Sequence, residues 1–192
     1  GPVAAIAAVA QGRAAYEYVL QWSKTYTGGG RVPIINHQAP GYMLVDAAMR
    51  VEACRYLCWK AAHFLDMHDN EGHAIAAMSK VFCTETMFET VYKCMQVMGI
   101  NASDLVHPLS KYLREAAILP IYDAGNVGMQ RRKIWGVLAD PDFDPQAIVR
   151  CDPMPFTKAM EGIGVNPVRQ PPSGNGAGDP LSAPGGEAHA RA

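Results

Sequence analysis

Apolar side chains recur three and four residues apart through three long stretches, residues 2–26, 37–66 and 73–98. Nowhere do they alternate with period two for the length of a strand. This pattern confines the chain to helices that bury one stripe each. At 1.5 Å per residue, helices of about 25 to 30 residues run to about 40 Å. Two shorter helical patterns follow. The expected fold is all-α, an antiparallel up-and-down four-helix bundle.

The punctuation fits. The first helix carries Val3, Ile6, Ala10, Ala14 and Tyr18 at helical spacing and ends at Thr27-Gly28-Gly29-Gly30. Residues 31–36, with Pro33, form a connector. The second helix, His37 to Asp66, has the stripe Met43, Ala47, Val51, Cys54, Cys58, Ala61 and Leu65, with Pro40 in its first turn, where proline is tolerated. The third, His73 to Met98, carries Ala74, Met78, Val81, Phe88, Val91, Met95 and Met98. Pro108 opens a helix to Leu119, and another runs from Asn126 to Leu138. The expected domain is 1–150. Residues 151–192 form a short segment and a tail whose Pro, Gly, Ser and Ala content from Pro167 onward is too poor in apolar residues to offset ordering entropy; disorder is expected there.

Composition excludes some partners. The chain has 17 Lys and Arg against 18 Asp and Glu, so no charge excess points to nucleic acid or an anionic membrane. No run reaches the roughly 18 apolar residues of a membrane span. Gly1 to Ile6 lack the basic start of a signal peptide and read as the inside of a helix, the expectation being a C-terminal piece of something longer. The five cysteines form no C-x-x-C pair, and four lie in helical patterns. They are expected as reduced core thiols of an intracellular, cytoplasmic protein. Mitochondrial and peroxisomal placement stay open, although the final Ala-Arg-Ala is not the usual peroxisomal ending.

Several clusters have bland readings. His63, Asp66, His68, Asp69, Glu71 and His73 span a helix end and a polar loop, and His63 and His68, five apart, diverge on a helix; no metal site is expected. Cys54 and Cys58 read as core. Gly162-Ile163-Gly164 is too short for a nucleotide loop. Asp123 is different. It lies between Pro120 and a helix start carrying Gly125 and Gly128. As a helix cap it needs no ligand. Two glycines at a helix start, however, are unfavourable unless something approaches there. Both readings stand on sequence mechanics.

Further motifs add a resemblance. Ala14-Ala15-Tyr16-Glu17, Pro33-Ile34 with His37-Gln38, Gln96-Val97-Met98-Gly99-Ile100-Asn101, then Pro108, Arg114 and Ile121-Tyr122-Asp123 follow one another at spacings that resemble the C-terminal helical domain of the acyl-CoA dehydrogenase superfamily. The run Asp123-Ala124-Gly125-Asn126-Val127-Gly128 is most similar to its nitroalkane oxidase branch, which has aspartate where most members have glutamate. The resemblance implies an FAD-dependent oxidoreductase acting on a small-molecule substrate, an acyl-CoA, a nitroalkane or another C–H acid. Asp123 would be the base and Arg131 its partner; Gln38, Gln96, Gly99, Ile100, Gly125 and Asn126 would contact FAD. It also implies a homo-oligomer, or N-terminal domains supplied by another chain.

There are departures. The branch has an arginine seven residues after its aspartate, where this chain has Gln130; Arg131 reaches that place only if the turn shifts by one residue. Thr27 stands at the family's flavin-contacting arginine, and Ile100 and Ala102 replace two glycines. The N-terminal helical and middle β-domains have no counterpart in these residues. The alternative is a truncated, non-catalytic helical oligomerisation module.

Overall fold

The computed structural model describes residues 1–68 and 72–155. Among the described residues there is no β-strand. The helices are α1 (Pro2–Ser23), α2 (Gln38–His68), α3 (His73–Met98), α4 (Leu109–Ile118), α5 (Arg131–Leu138) and the short α6 (Ala147–Arg150). The tail expected to be disordered and Gly162-Ile163-Gly164 lie outside the described residues.

Three clusters of buried residues give the helix directions. At one end, Ala15 and Val19 of α1 meet Leu44 and Ala47 near the start of α2, Val91 and Cys94 late in α3, and Leu109 and Ala116 of α4. In the middle, Ala5, Ala8 and Val9 meet Val51, Cys54 and Cys58, with Cys83 and Met87. At the other end, Ala61 and Phe64 late in α2 meet Ala74 and Ile75 early in α3, together with Val137, Ala147 and Met154. The chain therefore runs up, down and up through α1, α2 and α3. It returns down α3 as α4 and α5, with a break between them at residues 119–124. The fourth helix of the bundle is split, and the split holds Asp123.

The α1 stripe needs correcting. Its buried residues are Ala4, Ala5, Ala8, Val9, Gly12, Ala15, Val19 and Ser23. Val3 is 80% exposed, and Ile6 is also exposed. An alanine-rich helix is weakly apolar all round, so its two bulky residues mark the face poorly. What selects the face is close approach to α3. A Cβ at Gly12 would stand 2.3 Å from Met87 Sδ, so only a glycine leaves room for that fully buried side chain. α1 also stops at Ser23, three residues short of expectation. Beyond it, Tyr26 stacks on Trp22 and its carbonyl accepts from the Ile34 amide at 3.0 Å, closing the glycine loop.

α2 and α3 bury most of their expected stripes. Met43, Leu65, Met78 and Met95 are only half-buried, Leu44 and Phe64 taking the core places beside the first two. Phe88 is exposed, with Met87 buried in its stead. Gly72 opens α3 against the end of α2; a Cβ there would sit 2.8 Å from the Phe64 carbonyl oxygen. The thiols of Cys54, Cys58, Cys83 and Cys94 are buried and unbridged.

Candidate active site

The split in the fourth helix is built around a buried cation. Pro120 follows the end of α4, and the Ile121 and Tyr122 amides fold back onto the Ile118 carbonyl at 3.0 and 2.8 Å. The backbone then takes three consecutive left-handed residues, Asp123 (φ 53°), Ala124 (φ 65°) and Gly125 (φ 56°). Only glycine adopts that region freely; each of the other two costs about 1–2 kcal/mol. A π-helical turn, Gly125–Gln130, leads into α5. Strained backbone and π-turns persist where surrounding structure over-determines them, often at functional sites.

Lys80, on the face of α3 opposite the split, supplies much of that determination. Its side chain is fully buried, and its ammonium donates to the Tyr122 carbonyl at 2.6 Å, Asn126 Oδ1 at 2.8 Å and the Pro120 carbonyl at 3.4 Å. Asn126, 2% exposed, continues the network, its Nδ2 donating to Thr84 Oγ1 at 2.9 Å and Glu85 Oε1 at 3.1 Å. Gln130 Nε2 donates to the Asp123 carbonyl oxygen at 2.9 Å. The carbonyls freed by the broken helix are thus satisfied by side chains.

This frame presents the Asp123 carboxylate, about a third exposed, to a cavity of about 180 Å³ lined also by Leu65, His73, Ala76, Ala77, Gln130 and Lys133. Its Oδ2 lies 2.7 Å from the Gly1 amino group. The hydrogen bond from that amino group holds the Asp123 carboxyl below the usual aspartate range, against the opposing effect of burial; the charges of Gly1, Lys80 and Lys133 act in the same direction. Asp123 is therefore ionised at neutral pH, the form a proton acceptor needs. A backbone amide in place of the Gly1 ammonium would keep a donor there without the charge.

Arg131 is not the partner of Asp123. Its guanidinium makes a bidentate pair with Glu85, both bonds 2.8 Å, on the outer side of the split. The reason is register. The π-turn places Gln130, buried, beneath Asp123 and turns residue 131 outward onto α3. The hydrogen bonds from Arg131, together with that from Asn126, hold the Glu85 carboxyl below its usual range, with burial opposing.

The other expected site residues are spread along the bundle. Gln38 is exposed, bonded through Nε2 to Tyr42 Oη at 2.8 Å, on the rim of a groove of about 530 Å³ between α1 and the start of α2. Gln96, Gly99 and Ile100 line a separate depression of about 360 Å³. Gly125 and Asn126 belong to the split. The Asn126 side chain is committed to Lys80, and its amide donates to the Pro120 carbonyl at 2.8 Å. A Cβ at Gly99, Gly125 or Gly128 would meet nothing within 4 Å. Sequence reasoning passed over Lys80, Thr84 and Glu85. A lysine one residue before Val81 in an otherwise apolar stripe was the available signal. Among the described residues no group of three His, Cys, Asp or Glu side chains is placed to hold a metal; Asp69 and Glu71 lie outside them.

A family profile, acyl-CoA dehydrogenase, C-terminal domain, matches residues 2–138. The chain belongs to this family. Nitroalkane oxidase of Podospora anserina is 36% identical over 135 residues, 69% of this chain and 31% of the relative. Nitroalkane oxidase of Fusarium oxysporum is 34% identical over 145 residues, 73% and 33%. A solved structure of the flavoprotein nitroalkane oxidase superposes with a TM-score of 0.75 at 29% identity, covering 79% of this chain and 36% of that one. The chain thus spans about a third of the length of these relatives. Residues 2–138 thus correspond to the C-terminal helical domain of acyl-CoA dehydrogenase- and nitroalkane oxidase-like proteins.

Proposed function

We propose that this domain serves an FAD-dependent oxidoreductase in which Asp123 removes the proton from an activated C–H bond, beside a nitro group or a thioester carbonyl. The observation that carries the reading is the split fourth helix, which holds an ionised carboxylate against a small cavity on a strained, side-chain-braced turn. The alanines 76 and 77 make the opposite wall short and apolar, which suits a small carbon acid. Aspartate reaches one methylene less far than glutamate, so it serves a carbon held closer to the turn.

Flavin, when bound, supplies the electron acceptor. The residues present suit such a group as separate exposed donors: Gln38 and Gln96 for polar edges, and the Gly99 backbone, free of a Cβ, for close approach. Among the described residues no one concavity brings all of them together; in this reading the remaining walls come from the rest of a longer protein or from a partner. Gln130 positions the base through its carbonyl; the Glu85–Arg131 pair braces α5 against α3. Neither transfers a proton. Asp123 holds the abstracted proton on a carboxylate oxygen.

The test is direct. The complete protein, purified and scanned from 300 to 500 nm, should carry flavin absorbance. In Asp123→Asn the flavin should remain and proton abstraction should fall by at least the 10²-fold typical of a lost general base. A flavin-free complete protein, or an Asp123→Asn variant with full turnover, refutes the reading.

The alternative of an assembly module has its own support. On α2, Tyr42, Val45, Met49, Tyr56, Trp59 and Met67 are all exposed, at spacings of three, four and seven or eight residues along one face. This face is proposed as the surface by which copies of the domain associate. Sedimentation of the chain at micromolar concentrations tests it: a monomer unaffected by Trp59→Glu removes the proposal.

A further inference from the structure

We propose that Lys80 is the positioning residue of the Asp123 turn, its buried ammonium fixing the main chain that presents the carboxylate. The proposal rests on the reading of Asp123 as the base. A fully buried lysine is rare unless paired, and among the described residues no carboxylate is bonded to it. Its three acceptors are all neutral, two main-chain carbonyls and one amide oxygen. They come from residues 120, 122 and 126, on both sides of Asp123. An ammonium has three donors and no acceptor, so this set accounts for all of it.

The cradle is closed from below. Thr84, one turn on from Lys80, donates its hydroxyl to the Lys80 carbonyl at 2.8 Å and accepts from Asn126 Nδ2 at 2.9 Å. Asn126 cannot rotate its amide without setting Nδ2 against the ammonium. The turn is thus locked to one register on α3. That register places Gln130, and not Arg131, beneath Asp123.

Lys80 also carries charge to the base. Asp123 is faced by the Gly1 amino group, Lys80 and Lys133, and Lys80 by Asp123 and Glu85. Arg131 is committed to Glu85, so the fixed buried cation acting on Asp123 is Lys80. Burial lowers the affinity of Lys80 for its proton, and Asp123 and Glu85 oppose this. Lys80 thus holds the turn and adds its charge at Asp123 to the larger effect of the Gly1 amino group.

The experiment uses the chain alone, without flavin or substrate, so that it reads the turn and not turnover. The Asp123 carboxyl carbon is titrated by NMR in the native chain and in Lys80→Met, and the amide shifts of residues 121–126 are compared with those of α1. Lys80→Met should move the 121–126 amides while leaving those of Ala15 and Val19 in place. It should also raise the Asp123 midpoint, since it removes the Lys80 charge and loosens the turn that holds Asp123 against the Gly1 amino group. A folded Lys80→Met with an unchanged midpoint overturns the proposal. Should that variant fail to fold, the native chain decides. The Lys80 ammonium should give a ¹⁵Nζ resonance protected from solvent exchange at pH 7, with contacts to residues 120, 122 and 126. Its absence from an otherwise complete set of lysine signals overturns the proposal. If the chain passes these tests but the complete protein binds no flavin, Lys80 keeps its place and the enzyme reading is removed.

Discussion

Asn126→Ala is the sharpest probe of the split helix. Asn126 is buried, accepts from the Lys80 ammonium at 2.8 Å, and donates to Thr84 Oγ1 at 2.9 Å and Glu85 Oε1 at 3.1 Å. A hydrogen bond to a charged group contributes about 1.5–3 kcal/mol and a neutral one about 1 kcal/mol. Alanine leaves the ammonium with one short acceptor, Tyr122, and one long one, Pro120. Thr84 keeps its bond to the Lys80 carbonyl and Glu85 keeps Arg131, so those losses are smaller. The expected destabilisation is about 3 kcal/mol. For a chain of this size that is a fall in Tm of roughly 6–12 °C. Urea titration followed by far-UV circular dichroism measures it, with an unchanged m-value as the sign that the unfolded state is the same. Asn126→Asp should be milder towards Lys80 but should set a second carboxylate against Glu85 and lose the three Nδ2 bonds, to Val81, Thr84 and Glu85. A loss under about 1 kcal/mol in Asn126→Ala would show that Lys80 does not depend on this side chain, and the picture of a locked turn would fail.

Other consequences follow from single residues. Gly125 (φ 56°) and Gly99 (φ 61°, ψ −142°) both have open space where a Cβ would go, so alanine there meets only backbone strain. Gly125→Ala should cost about 1–2 kcal/mol and Gly99→Ala, nearer the region reserved to glycine, up to about 3 kcal/mol, read by urea denaturation. Because Arg131 holds the Glu85 carboxyl below its ordinary value near 4.5, the pair's contribution is fully present above that pH and is lost as pH falls through the depressed native value. Arg131→Leu should therefore cost under about 1 kcal/mol at pH 7, since both side chains are half-exposed, and the difference from the native chain should vanish at low pH. Burial pushes the Cys94 thiol up to about 12, and Cys54, Cys58 and Cys83 are equally enclosed. Alkylation at pH 8 followed by mass spectrometry should mark the partly exposed Cys151 first and the other four only on unfolding; early labelling of Cys94 would contradict the packing.

Periodicity revealed the bundle because three of its helices are long enough for a buried stripe to dominate. It misplaced α1 because alanine and glycine carry little hydropathy signal, and the interface there is chosen by how near two backbones can come. The fourth helix was legible as two pieces, since Pro108, Pro120 and the paired glycines mark their ends. The spacing of residues 123–131 already put Gln130 seven residues after Asp123; what it could not show is that Gln130 would hold the Asp123 main-chain carbonyl and that Arg131 would turn to Glu85. An extra residue in a helical turn rotates everything beyond it by about 100°. In the turn as built, Gln130 faces Asp123 and Arg131 faces Glu85. The same break creates carbonyls with no helical partner, and an apolar stripe on α3 could not satisfy them. Lys80 is thus the other half of the Asp123 turn: a helix split to aim a carboxylate requires, on the helix it leans against, a donor able to reach several carbonyls at once, and an ammonium on a four-carbon stem is the side chain that does so while remaining buried.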